Sequence, residues 1–259
     1  MDLFYNQYGR EGPPLLILHG LLGANGNWHT LSRTSFREVA SVYAVDQRNH
    51  GRSPHTDRID YPSMAADVVD FLDHRGLEQA HLLGHSMGGK TAMKTALTYP
   101  DAVDRLIVVD MAPREYEPHH TDLLDALARI NPAEYDERDA IDDALAEDVP
   151  SWSVRQFLLK NLDYDGTEYS WKMNLDAIRE HYDDITAAIT SDEPFDGPAL
   201  FVRGANSDYV SDEDRPAIRE LFPNAEFVTI DDAGHWVHAD QPEALAEVVI
   251  DFLAEPREK

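Results

Sequence analysis

A serine set between glycines is the feature that most restricts how this chain folds. The segment Gly84–Gly88, with sequence GHSMG, follows the apolar run AHLL and precedes the small-residue run GKTAM. A strand that turns directly into a helix brings backbone segments close together, so glycine is wanted at both ends of the turn. The same turn forces Ser86 toward sterically costly dihedral angles and lifts its hydroxyl above the sheet. The segment therefore predicts a strand–turn–helix that presents Ser86 as a nucleophile.

Short apolar runs alternate with amphipathic segments along most of the chain. Strands are predicted at PLLILHG, SVYAV, AHLLGHS, DRLIVVD, PALFVRG and AEFVTI. Apolar residues at spacings of three and four predict helices, one between Tyr61 and His74 and one at the end of the chain. Their apolar faces consist of Met64, Val68, Phe71 and Leu72 in the first helix, and of Leu245, Val248, Val249, Phe252 and Leu253 in the last. This alternation is typical of an α/β domain with a mostly parallel sheet.

The strand-like runs stop between Pro113 and Pro194, where acidic and helical stretches take over. We expect residues 1–112 and 195–259 to form one α/β core. Residues 113–194 are expected to form an all-helical lid, inserted between two strands and lying over the carboxyl edge of the sheet.

Charge separates this chain from several classes of protein. The 49 Asp and Glu residues outnumber the 22 Lys and Arg residues, giving a formal net charge of −27. Such a surface repels nucleic acid and anionic membranes, so neither is an expected partner. We interpret the acidity as an adaptation to high salt, where screening weakens the repulsion between surface charges.

Other features of the sequence bear on its compartment. No run of residues has the length and apolarity of a membrane span, and the N-terminus shows no secretory pattern. Cysteine is absent, so neither a disulfide framework nor a thiolate metal site is possible. A cytoplasmic protein without a metal is therefore expected.

A nucleophilic serine needs a base and a group that orients the base. His235 is the candidate base because it follows the last predicted strand and completes the order Ser, Asp, His. Asp110 ends an apolar strand and is favoured as the orienting acid. Asp208 is the alternative acid, but it lies one residue beyond the usual place, which is Ser207 when counted from Gly204.

Two backbone N–H groups are predicted to stabilise an oxyanion, those of Leu21 and Met87. Leu21 lies in the loop after the first central strand, and Met87 begins the helix after Ser86. Among the other histidines, His238 is expected at the surface or behind the site, and the pair His119-His120 is expected to be exposed.

Four ordered motifs, GHSMGGKTAM, DQRNHGRSPH, VVDMAP and RGANSDYV, resemble the α/β-hydrolase superfamily over nearly the whole chain. Within it they are similar to the YbfF-type bacterial esterases and their relative, abhydrolase-domain protein eleven. The resemblance implies an α/β-hydrolase fold, no cofactor, a helical lid, and a triad acid at Asp110. Lys90 and Met93 match the family's motif and are interpreted as structural residues behind the nucleophile. The segment Arg48–His50 is expected to hold neighbouring loops by hydrogen bonds.

The sequence thus predicts a serine ester hydrolase acting on a small-molecule ester or thioester. Aromatic and histidine side chains are candidates for the wall of the acyl pocket: Trp28, His85, Trp152, Phe157 and Trp236. Thioester hydrolysis, carbon–carbon hydrolysis, acyl transfer and a non-catalytic binding role remain alternatives on the same fold. Acyl length, leaving group and oligomeric state are left open.

Overall fold

A twisted sheet forms the centre of the protein in the computed structural model, which describes residues 1–254. Residues 255–259, the end of the predicted second part of the core, lie outside the described residues. The strands of the described part are β1 Tyr5–Tyr8, β2 Pro14–Leu18, β3 Ser41–Val45, β4 Ala80–His85, β5 Val103–Val109, β6 Leu162–Tyr164, β7 Tyr169–Trp171, β8 Ala199–Gly204 and β9 Ala225–Ile230.

Seven of these strands form one sheet in the order β1-β3-β2-β4-β5-β8-β9. All neighbours are parallel except β1, which pairs antiparallel with β3 and matches Tyr5 to Val45. The six predicted parallel strands are confirmed. Strand β1 was missed because it lies at the sheet edge and is half exposed, so its sequence YNQY has no apolar run.

Helices cover both faces of the sheet. Their bounds are α1 His29–Thr34, α2 Tyr61–Arg75, α3 Met87–Thr98, α4 Thr121–Arg129, α5 Arg138–Leu145, α6 Trp152–Leu158, α7 Leu175–Glu180, α8 Tyr182–Thr186, α9 Arg215–Leu221, α10 Val237–Asp240 and α11 Pro242–Ala254. Helices α2 and α3 contribute Phe71 and Met93 to one hydrophobic cluster, whereas α1 and α11 contribute Leu31 and Phe252 to the other. Among residues 1–254, no helix combines the length and apolar character that a membrane crossing requires.

Residues 113–194 leave the sheet after β5 and return before β8, but they are not all-helical. Strands β6 and β7 form a small antiparallel hairpin between α6 and α7. Its turn contains Asp165-Gly166, and Gly166 has a φ of 100°. An Asp-Gly pair between short aromatic-containing runs is a hairpin signal, so this correction was readable from the sequence.

The turn between β4 and α3 has the predicted geometry. Ser86 has a φ of 55° and a ψ of −122°, a conformation that side chains rarely adopt. A Cβ atom at Gly84 would collide with the Gly88 carbonyl oxygen, and one at Gly88 would collide with the Leu18 carbonyl oxygen. Both glycines are therefore required by the close approach of β2, β4 and α3.

Candidate active site

The predicted site residues follow the carboxyl ends of three parallel strands of the sheet. Ser86 follows the central strand β4, Asp110 follows β5 and His235 follows β9. Since the carboxyl ends of parallel strands meet at one edge of the sheet, loops from distant parts of the sequence converge there.

The imidazole of His235 is held by Asp110. Its Nδ1 lies 2.7 Å from Oδ2 of Asp110, whose side chain is 0 % exposed. The other carboxylate oxygen, Oδ1, accepts the Gly204 N–H at 3.0 Å. Because Nδ1 faces a carboxylate, it carries the ring proton, and Nε2 keeps the lone pair that a general base needs.

The alternative acid, Asp208, is not part of this cluster. Its side chain is exposed, and its backbone carbonyl accepts a hydrogen bond from Arg114. Ser207 occupies the neighbouring position instead, and its hydroxyl donates to Asp110 Oδ2. The one-residue offset counted from Gly204 was therefore a correct signal that Asp208 lies away from the imidazole. The hydrogen bond from Ser207 to the Asp110 carboxylate was not predicted.

Tyr209 stacks on the imidazole and was also missed. The two ring centroids are 3.7 Å apart and the planes are tilted by 17°. The Tyr116 hydroxyl fixes this residue by donating to the Tyr209 carbonyl at 2.7 Å. An aromatic ring at this distance restricts the His235 ring and stabilises its positive charge when it is protonated.

The loop after β2 is held beside Ser86 by buried histidines. Nε2 of His50 accepts the Leu22 N–H at 3.2 Å, and Leu22 has a φ of 57°. Burial lowers the pKa of His50 to about 3, so it is neutral and can accept this bond. Nε2 of His19 accepts the Gln47 N–H at 3.0 Å in the same way. The loop therefore keeps its unusual backbone conformation, with Leu21 beside the nucleophile.

The segment Arg48–His50 holds loops as expected. Arg48 forms two hydrogen bonds to Asp67 on α2, at 2.6 and 2.9 Å. The carbonyl of Asn49 accepts the N–H of Asn174, which caps α7. The motif thus joins the core to both α2 and the inserted segment.

A cavity of about 220 Å³ lies over Ser86. Its wall combines the core with the inserted segment, which supplies His120, Leu123, Val154 and Phe157. Of the predicted lining residues it contains Trp28, His85, Phe157 and Trp236, together with Leu21, Leu22, Gly23, Asn27, His235 and His238. The prediction for Trp152 was wrong: it begins α6, is 66 % exposed and does not line this cavity.

Two other histidines line this cavity: His120, which was predicted to be exposed, and His238, which was predicted at the surface or behind the site. His238 stacks on Trp28 with centroids 4.8 Å apart, and burial lowers its pKa to about 4. His120 is half-buried, and its Nε2 lies 3.4 Å from the Tyr209 hydroxyl. His119 is exposed as predicted. Position in the sequence could not separate these residues, because the helix and lid that bury them are tertiary features.

A second, smaller cavity of about 40 Å³ adjoins Ser86 on its other side. It shares Leu21, Ser86 and His120 with the larger cavity, and Met87 and Lys90 line it. Ser86 thus lines both cavities.

Lys90 is 1 % exposed and joins α3 to the inserted segment. Its ammonium donates to the carbonyls of Thr186 and Ala187 at 2.9 and 2.6 Å. Burial, with a smaller contribution from the charge of Arg114, lowers the pKa of Lys90 to about 7. The predicted structural role therefore includes a specific link to the end of α8, which sequence alone does not reveal. Met93 is fully buried behind the nucleophile, as predicted.

Lys90 is expected to make stability rise with pH. Between about pH 7 and pH 10 the unfolded chain keeps a proton on Lys90 that the folded chain has released. Each pH unit in this window should add about 1.4 kcal/mol to the free energy of unfolding. Urea unfolding across the window, compared with Lys90→Met, measures the effect. Equal pH slopes in the two proteins would contradict it.

Within residues 1–254, no group of three or more histidine, aspartate or glutamate side chains is arranged to hold a metal ion.

Comparison with known proteins agrees with this fold. Residues 13–242 match the family model described as the alpha/beta hydrolase fold. The chain is 40% identical to the sn-1-specific diacylglycerol lipase ABHD11 of Xenopus laevis, over 98% of this chain and 84% of the relative. It is 34% identical to the esterase YbfF of Escherichia coli, over 96% and 95%. A solved marine microorganism esterase is 42% identical, with a TM-score of 0.94 over 97% of this chain and 99% of that one. The chain belongs to the α/β-hydrolase family.

Proposed function

We propose that this protein is a serine carboxylic-ester hydrolase with a Ser86–His235–Asp110 triad. The observation that carries the proposal is the 2.7 Å contact between His235 and the buried Asp110, beside a serine held at a φ of 55° in the same cavity. Its relatives are named esterases and lipases, and ester-bond hydrolysis is the activity it shares with them.

The proposed reaction runs through an acyl-enzyme. His235 Nε2 takes the Ser86 proton while Oγ bonds to the ester carbonyl carbon. The oxyanion is stabilised by the N–H groups of Leu21 and Met87. Collapse breaks the bond to the leaving group, which receives the proton from His235. Water then attacks the acyl-enzyme by the same steps, releasing the acid and restoring Ser86.

Short to medium acyl esters are the proposed substrates. The larger cavity is mostly apolar and is closed on one side by Val154 and Phe157 of α6. Residues 113–194 act as a lid in this proposal, since they supply the wall that faces Ser86. A thioester would follow the same steps with a thiol as leaving group, so both bond types belong in the test.

The test combines active-site labelling with a substrate panel in potassium chloride. A fluorophosphonate probe is expected to label the protein at Ser86, as read by peptide mass spectrometry. Hydrolysis of p-nitrophenyl esters and acyl-coenzyme A thioesters, from two carbons upward, should then show an optimum at short to medium length. A folded protein that neither reacts with the probe nor hydrolyses any member would support the non-catalytic alternative.

A further inference from the structure

A polar groove beside the active-site cavity gathers an unusual share of the chain's positive charge. The groove has a volume of about 360 Å³, and Arg52, Lys160 and Lys172 line it. Two of the five lysines in the chain are therefore found in one groove, although acidic residues outnumber basic ones by 49 to 22. An accumulation of cations on so acidic a surface is the reverse of what composition alone would produce.

The groove cations are weakly paired. Within residues 1–254, neither the Lys160 ammonium nor the Arg52 guanidinium forms an ion pair with a carboxylate. The Lys172 Nζ lies 3.9 Å from Asp163, a long ion pair, and donates a hydrogen bond to the Lys160 carbonyl at 3.4 Å. By contrast, Arg48 lies within 2.6 Å of an aspartate. The positive charge of the groove is therefore available to an external anion.

One carboxylate lies at the groove, but its oxygens are already engaged. The Asp46 side chain is buried and accepts three hydrogen bonds. The donors are the backbone N–H of Asn25 at 2.6 Å, the side-chain amide of Asn25 at 2.7 Å and the backbone N–H of Arg52 at 2.9 Å. These hydrogen bonds stabilise the carboxylate, and those from Asn25 hold the loop of residues 23–27 against it.

The groove and the active-site cavity share a wall. Leu22, Gly23, Asn27 and Phe157 line both. The charge of Lys160 also acts across this wall, because it contributes to the lowered pKa of His238 in the cavity. A molecule whose ester lies at Ser86 thus has a cationic surface next to it, beyond the Phe157 side of the site.

We infer that this groove binds a phosphate group that the substrate carries away from its scissile ester or thioester. Two ammonium groups and a guanidinium match the charge and the several acceptor oxygens of a phosphate. The inference rests on the proposed function and narrows its substrate class to phosphate-bearing acyl compounds. Two substrate types carry such a phosphate, a coenzyme A thioester and an acylated glycerol phosphate.

The kinetic test uses matched substrates with one four-carbon acyl group. Butyryl-coenzyme A is compared with the uncharged N-acetylcysteamine thioester, and 1-butyrylglycerol 3-phosphate with 1-butyrylglycerol. In at least one pair, kcat/KM should be about tenfold or more higher for the phosphate-bearing member. The pair that shows this preference identifies the source of the phosphate.

The preference should depend on the groove cations. In Lys160→Gln/Lys172→Gln the ratio within the preferred pair should fall about tenfold, mainly through KM. Arg10→Gln/Arg33→Gln removes the same charge from a separate surface, lined by exposed arginines, and should leave the ratio unchanged. A wild-type ratio near one in both pairs, or an equal fall in both double variants, would overturn the inference.

Binding without turnover separates this inference from the proposed function. Calorimetric titration of coenzyme A and of glycerol 3-phosphate into Ser86→Ala should show binding that Lys160→Gln/Lys172→Gln weakens. If esters are not hydrolysed but this binding is found, the proposed hydrolysis is wrong, whereas phosphate binding in the groove is supported. If hydrolysis occurs and neither phosphate compound binds, the groove assignment fails alone.

Discussion

Replacing Ser86 with alanine is expected to lower kcat for ester hydrolysis by about 10⁶-fold, to the residual rate that binding and oxyanion stabilisation supply. The hydroxyl is the atom that forms the acyl-enzyme, so no neighbouring group can substitute for it within the proposed steps. The fold should survive, because alanine meets the same strain at a φ of 55° that serine already bears. Hydrolysis of the best p-nitrophenyl ester, measured by release of p-nitrophenol, is the assay.

A matched serine provides the control. Ser32 is buried on α1, and its hydroxyl has no hydrogen-bond partner among the described residues. Ser32→Ala should therefore keep both the fold and the rate. Circular dichroism of both variants checks folding. Turnover by folded Ser86→Ala at the wild-type rate would refute the nucleophile assignment and, with it, the proposed mechanism.

The parts of this fold that could be predicted are those encoded locally. Glycines around Ser86, apolar strands and the helical face of α2 each carry their signal within a few residues. The same is true of Asp110, since an acid that ends an apolar parallel strand must lie at the carboxyl edge of the sheet. Strand β1 carried no such signal, because an edge strand can be polar on both faces.

The remaining errors arise from burial that only the assembled lid creates. His120 was expected to be exposed, yet it lines the cavity together with Leu123 of α4 and Phe157 of α6. Trp152 was expected inside, but it occupies the exposed start of α6, whereas Phe157 on the same helix faces the cavity. Residue type alone cannot decide such cases, because the orientation of a short helix is set by its tertiary contacts.

Replacement of the acid that orients His235 is expected to have the second large effect on kcat, and it distinguishes Asp110 from Asp208. Asp110→Asn is expected to lower kcat by about 10⁴-fold, whereas Asp208→Asn should change it less than about twofold. In Asp110→Asn, the side-chain amide oxygen should accept the Gly204 N–H, which in the wild type donates to Oδ1 of Asp110 at 3.0 Å. The amide nitrogen would then face His235 Nδ1 and donate to it. The imidazole would be forced to carry its proton on Nε2, where it cannot accept the Ser86 proton.

This tautomer argument also predicts how the rate depends on pH. Strong base removes the need for His235, so the deficit of Asp110→Asn should shrink as hydroxide rises, as long as the protein remains folded. A pH profile of kcat/KM for wild type, Asp110→Asn and Asp208→Asn measures both effects in one experiment. A 10⁴-fold loss in Asp208→Asn with Asp110→Asn unaffected would mean that the exposed loop around Asp208 rearranges toward His235 during catalysis. Losses in both variants would instead require two carboxylates near the imidazole, which the exposed position of Asp208 does not provide.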